Sequence, residues 1–161
     1  MSPDPPPPSE HQGIVPSAIV LLLAEDDDGH ALLVEDILRN HGLCNAIVRF
    51  HDGQEALDFF NHTHPIHRPV TGVGYLLLLD IRMPKVDGVD VLRNVKQNPL
   101  WQNMPVIMLT TTDDPREVDR CHALGCNSYV HKPVDYDKFT EAVRRLGLYL
   151  EIVQVPPLGV S

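Results

Sequence analysis

Residues 75–88 read YLLLLDIRMPKVDG. A run of apolar side chains with no polar alternation marks a strand buried on both faces, and Asp80 ends it. The pattern recurs on either side: residues 18–24 (AIVLLLA) and 105–110 (PVIMLT) are again apolar almost throughout. Shorter strands are expected at 46–50 (AIVRF) and 128–131 (SYVH). Helical periodicity fills the intervals. Residues 28–40 place Ala31, Leu32, Val34 and Leu38 at helical spacing, and 88–98 does the same with Val89, Val91, Leu92 and Val95. Asp52 caps a helix bearing Ala56, Leu57, Phe59 and Phe60. Asp114-Pro115 is a cap followed by proline at the first helical position, opening a helix to Leu124, and 135–148 is the last helix. Apolar strands that alternate with helices predict an α/β fold, a doubly wound five-stranded parallel sheet in a single domain. Ligands of such sheets bind where the strands end.

Composition narrows the function. The 161 residues carry 13 basic and 22 acidic side chains, a formal charge of −9 that argues against a binder of the nucleic-acid backbone. No apolar run reaches the roughly eighteen residues of a membrane span. No basic or apolar leader of a signal peptide is visible. Cys44, Cys121 and Cys126 form no CxxC pair, which suits a reducing, cytoplasmic setting. Residues 1–16 hold six of the fifteen prolines and are expected to be a disordered leader. The domain proper then spans 17–148, and 149–161 is an apolar extension.

The strand ends concentrate charge. Glu25, Asp26, Asp27 and Asp28 follow the first long strand, Asp80 closes the next, Thr110 the next, and Lys132 follows the last. Helix-start acids explain Asp27 and Asp28, but Glu25 and Asp26 still lie at the strand edge. Crowded carboxylates repel, and a divalent cation such as Mg²⁺ resolves that conflict with few protein oxygens and several waters. A carboxylate beside such an ion can attack a phosphoryl group, with an ammonium and a hydroxyl opposite to bind the transferred oxygens.

In the motifs LLLAEDDD, YLLLLDIRMPKVDG, PVIMLTTTDD and SYVHKP, taken in order, the chain resembles the receiver domain of two-component response regulators, whose fold is flavodoxin-like. The resemblance covers about 18–147 and implies a role for each matching residue. Asp80 would be the phospho-acceptor, and with Thr110 and Lys132 it would carry the chemistry. Asp26 would bind Mg²⁺ directly, Glu25 through water, and Arg82 through its backbone carbonyl. Thr110 and Tyr129 would be the switch pair, and the Lys132–Pro133 bond would be cis. Arg82, two residues after the acceptor, could shield the phosphoryl group or clamp a neighbouring acid, and the sequence leaves both open. His131 replaces a usual aliphatic residue.

The tail, the loop before the third strand and the stretch LTTTDDPREVDRCHALGCNSYVHKPVD resemble stand-alone regulators paired with phytochromes. That resemblance implies a sensor histidine kinase, a bacteriophytochrome, as phosphodonor. Leu148, Tyr149, Leu150, Ile152, Val153 and Val155 would form a dimerisation arm, since so large an apolar group needs cover. Two other functions compete: a pseudo-receiver acting as a dimeric scaffold, and a Mg²⁺-dependent phosphatase. The phosphatase needs an acid two residues after its nucleophile, where Arg82 stands. At most, slow self-dephosphorylation is then the chemistry of the chain. His62, His64 and His67 share one loop, which is read as polar rather than metal-binding because no cysteine or carboxylate lies at fitting spacing.

Overall fold

The computed structural model describes residues 19–40 and 46–145. The expected leader, Cys44 and the arm residues Leu148, Tyr149, Leu150, Ile152, Val153 and Val155 lie outside them. Strands and helices alternate as β1 (Ile19–Ala24), α1 (Asp28–Asn40), β2 (Ile47–Phe50), α2 (Gly53–Phe60), β3 (Gly74–Asp80), α3 (Gly88–Gln97), β4 (Val106–Thr110), α4 (Pro115–Leu124), β5 (Ser128–His131) and α5 (Tyr136–Arg145). All pairings are parallel, in the order β2-β1-β3-β4-β5. The elements start and stop within a residue or two of the expected bounds, save the end of the last helix, where 146–148 lie outside the described residues. Pro105 drops out of β4 because it has no N–H, yet its carbonyl still accepts from the Leu77 N–H at 3.0 Å.

The unbroken apolar strands conceal a period of two. Leu22, Leu77, Leu79, Val106 and Met108 point to one face, where they pack with Phe59, Val91, Leu92 and Cys121 of α2, α3 and α4. Leu21, Leu23, Leu76, Leu78, Ile107 and Leu109 point to the other, against Val34 and Leu38 of α1 and Phe139 and Val143 of α5. Each face is covered, so neither set of positions can be polar. Burying one such side chain stabilises by about 1.5–3 kcal/mol.

Local chemistry places the helices. Asp52 Oδ1 accepts from the Glu55 N–H at 2.8 Å and Asp87 Oδ1 from the Asp90 N–H at 2.9 Å, which starts α2 and α3. Asp114 caps α4 ahead of Pro115, and Gly125 ends it in the left-handed region at φ 103°. The first crossover carries the chain from β1 outward to β2, and the next returns it past β1 to β3. The switch point therefore lies between the C-terminal ends of β1 and β3.

Gly88 sets the geometry beyond that point. A Cβ there would stand 2.0 Å from the carbonyl oxygen of Asp80 and 2.8 Å from the Cα of Ile81, so only glycine lets α3 begin this close to the strand end. Gly29, on exposed α1, would meet only the flexible Asp27 carboxylate at 3.2 Å. Gly88→Ala is expected to destabilise by roughly 2–4 kcal/mol in urea melts, whereas Gly29→Ala stays within about 1 kcal/mol of wild type.

Candidate functional site

Three elements of the sheet bring the site together. Asp80 is the last residue of β3, Glu25 follows β1, and Lys132 follows β5. The Lys132 N–H donates to the Thr110 carbonyl at 2.7 Å, extending the β4–β5 ladder and aiming the side chain inward. Its Nζ donates to Glu25 Oε2 and lies 3.1 Å from Asp80 Oδ2. The next peptide bond, Lys132–Pro133, is cis. All three side chains are buried, and Glu25 is fully so.

One ammonium faces two buried carboxylates. Burial first and the Glu25 charge second push the Asp80 carboxyl up to about 6, against the opposing pull of Lys132. Glu25 is further held by the Asp27 N–H, which donates to Oε1 at 3.2 Å. Asp26 is exposed at the rim, and one carboxylate oxygen from each of Glu25, Asp26 and Asp80 falls within a 4.8 Å cluster. This donor set is all oxygen, carries excess negative charge and has an open side. It fits a hard divalent cation of the Mg²⁺ or Mn²⁺ type. Asp27 serves the helix instead, and Asp28 pairs with Arg49. Asp27 Oδ1 accepts from the His30 N–H at 2.8 Å, a bond that holds its carboxyl below the usual value.

The flanking residues occupy distinct places. Thr110 is buried, and its Oγ1 accepts from the Thr112 N–H at 3.0 Å, leaving the hydroxyl proton free for another acceptor. The Tyr129 hydroxyl is buried without a well-formed hydrogen bond among the described residues, with only a weak contact to Thr110, and burial raises its pKa. The Arg82 side chain extends into solvent, with Nη2 3.7 Å from Glu117 Oε2. His131 lies on the rim, its Nε2 2.9 Å from Asp113 Oδ1. An open cleft of about 650 Å³ leads along Asp26, Arg82, Asp87 and Glu117.

Sequence reasoning passed over three contributors. Arg49 of β2 donates to the Glu25 carbonyl and to Asp28. Its only signal was a cation inside an apolar strand. His64, read as part of a polar loop, is buried and accepts from the Ile66 and His67 N–H groups through Nδ1, each at 3.1 Å. Lys85, left-handed at φ 68°, reaches Asp52 at 3.4 Å and ties the loop after Asp80 to the start of α2.

The raised Asp80 pKa has a testable consequence for stability. Its proton-linked stabilisation is fully present below the unfolded value of 3.8 and is lost as pH rises through about 6. Asp80→Asn, which cannot ionise, is therefore expected to stabilise the metal-free protein at pH 7.5 by an amount on the order of 2 kcal/mol. The gain should fall to roughly a third of that at pH 4.5, where the carboxyl is protonated in the folded chain but still largely ionised in the unfolded one, and vanish only below 3.8. Urea melts at the two pH values check this.

The response regulator receiver domain profile matches residues 21–144. Among solved structures, the bacteriophytochrome response regulator RtBRR superposes with a TM-score of 0.76 at 33% identity, covering 88% of this chain and 86% of that one. The bacteriophytochrome response regulator AtBRR gives a TM-score of 0.70 at 34% identity, covering 90% and 100%. Response regulator Rcp1 of Synechocystis sp. is 30% identical over 128 residues, 77% of this chain and 84% of that protein. Its Mn²⁺-bound form superposes with a TM-score of 0.67 at 31% identity, covering 86% of this chain and 99% of that one. The chain belongs to the response regulator receiver domain family, and its structural neighbours include the response regulators of bacteriophytochromes.

Proposed function

We propose that the chain is a phosphoryl-accepting response regulator in which Asp80 takes the phosphoryl group from a phosphohistidine of a sensor histidine kinase. The observation that supports this most is the convergence of Glu25, Asp80 and Lys132 on one another at the ends of β1, β3 and β5, with Asp26 and Thr110 beside them. The likeness to AtBRR and RtBRR favours a bacteriophytochrome as that kinase. The family in general accepts phosphoryl groups rather than turning over substrates, so slow self-dephosphorylation is the only hydrolysis expected.

In the transfer an Asp80 carboxylate oxygen bonds to phosphorus as the phosphorus–nitrogen bond of the donor breaks, and the donor imidazole leaves. Mg²⁺ at Glu25, Asp26, Asp80 and the Arg82 carbonyl would neutralise charge on the phosphoryl oxygens. Lys132 already stands between the two carboxylates and can follow the charge from Asp80 onto the phosphoryl group. The Thr110 hydroxyl, free to donate, would shift toward the same oxygens.

Tyr129 gives that shift a readout. A buried hydroxyl without a well-formed hydrogen bond costs about 1–3 kcal/mol, so packing and a weak contact with Thr110 hold the ring inward. Small changes at Thr110 can then rebalance its two positions and alter the β4–β5–α5 surface. The apolar residues Leu148, Tyr149, Leu150, Ile152, Val153 and Val155 would join two copies into a homodimer in the cytoplasm.

Incubation with acetyl phosphate and Mg²⁺, followed by intact-mass spectrometry, tests the acceptor. One phosphoryl adduct is expected, absent in Asp80→Asn and absent in EDTA. An adduct that persists in Asp80→Asn, or no adduct with any phosphodonor, would remove the proposal.

A further inference from the structure

Arg49 is a charged residue in the edge strand β2, yet its side chain is only 18% exposed. It faces the turn between β1 and α1, which consists of Glu25, Asp26 and Asp27. Nε and Nη2 both donate to the backbone carbonyl of Glu25, at 3.2 and 3.0 Å. Nη1 donates to Asp28 Oδ1 at 2.6 Å. The Glu25 N–H meanwhile donates to the Phe50 carbonyl at 3.1 Å. Strand β2 therefore grips the Glu25 peptide from both sides, and a single guanidinium spans the turn from its first residue to the start of α1.

The turn needs such a grip. Four consecutive acids repel one another, and Asp26, the exposed member, must be held close to Glu25 and Asp80 for their oxygens to form one cluster. We propose that Arg49 is a positioning residue for the divalent cation: by clamping the Glu25 carbonyl and the Asp28 carboxylate it fixes the turn that presents Asp26 opposite Asp80. This rests on the receiver reading above, in which that cluster binds Mg²⁺. Only a planar fork can donate twice to one carbonyl and once to a carboxylate, so lysine keeps the charge but not the clamp.

Charge and clamp act with opposite signs. A guanidinium among the acids repels a second cation, so removing a purely electrostatic Arg49 would tighten Mg²⁺ binding. Removing the clamp loosens it. Isothermal titration of Mg²⁺ into the full chain separates them, with thermal melts confirming that each variant is folded. Arg49→Ala is expected to weaken Mg²⁺ binding about tenfold, as loss of a group that orients metal ligands does, and Arg49→Lys about threefold. In acetyl phosphate reactions the half-saturating Mg²⁺ concentration should rise by the same factors, while the rate at saturating Mg²⁺ stays within about twofold of wild type.

Arg49→Lys decides the matter if Arg49→Ala does not fold, because its charge is unchanged. Unaltered or tighter Mg²⁺ binding in a folded variant overturns the clamp. A wild-type chain that binds Mg²⁺ but takes no phosphoryl group overturns the receiver reading and leaves the clamp standing. A wild-type chain that binds no Mg²⁺ overturns both.

Discussion

Two buried carboxylates share one ammonium at the C-terminal edge of this sheet, and the rest of the structure is arranged around that imbalance. Lys132 meets Glu25 across 107 residues of sequence, so the contact exists only when β1, β3, β4 and β5 are all in register. Two negative charges against one positive leave a deficit that water cannot screen well at this depth. Burial first, and the Glu25 charge second, raise the Asp80 pKa. A cation or a transferred phosphoryl group would change that balance, and a site poised in this way responds to both.

The scaffold is rigid where the site needs rigidity. The two core clusters fix the sheet from both faces, and the close approach of Gly88 to Asp80 leaves the β3–α3 loop little freedom. Lys85 and Asp52 pin the same loop to α2, while Arg49 pins the acidic turn to β2. The less constrained part is on the other side, where the Tyr129 hydroxyl is buried with only a weak contact to Thr110. Conformational change is expected there because little polar bonding opposes it.

Strand and helix positions and the acidic edge were legible in the sequence because they rest on strong local signals. Apolar runs with Asp80 or Thr110 at their ends, and Asp52 and Asp114 at helix starts, each state one local rule. Arg49 and His64 were not legible, for a shared reason. Each makes its hydrogen bonds inward from an element that composition marks as ordinary, a strand with one charge and a histidine-rich loop. Their partners are mostly backbone groups, the Glu25 carbonyl for one and the Ile66 and His67 N–H groups for the other. Backbone partners leave no residue type to search for.

The charge imbalance at Asp80 can be titrated directly. Carbon-13 NMR of the side-chain carboxyl groups, with Asp80 assigned through Asp80→Asn, gives its midpoint in metal-free buffer and again in saturating Mg²⁺. The expected midpoint is near 6 without metal, with a clear fall when Mg²⁺ is added. A midpoint near the ordinary value of 3.8, unmoved by Mg²⁺, would contradict it.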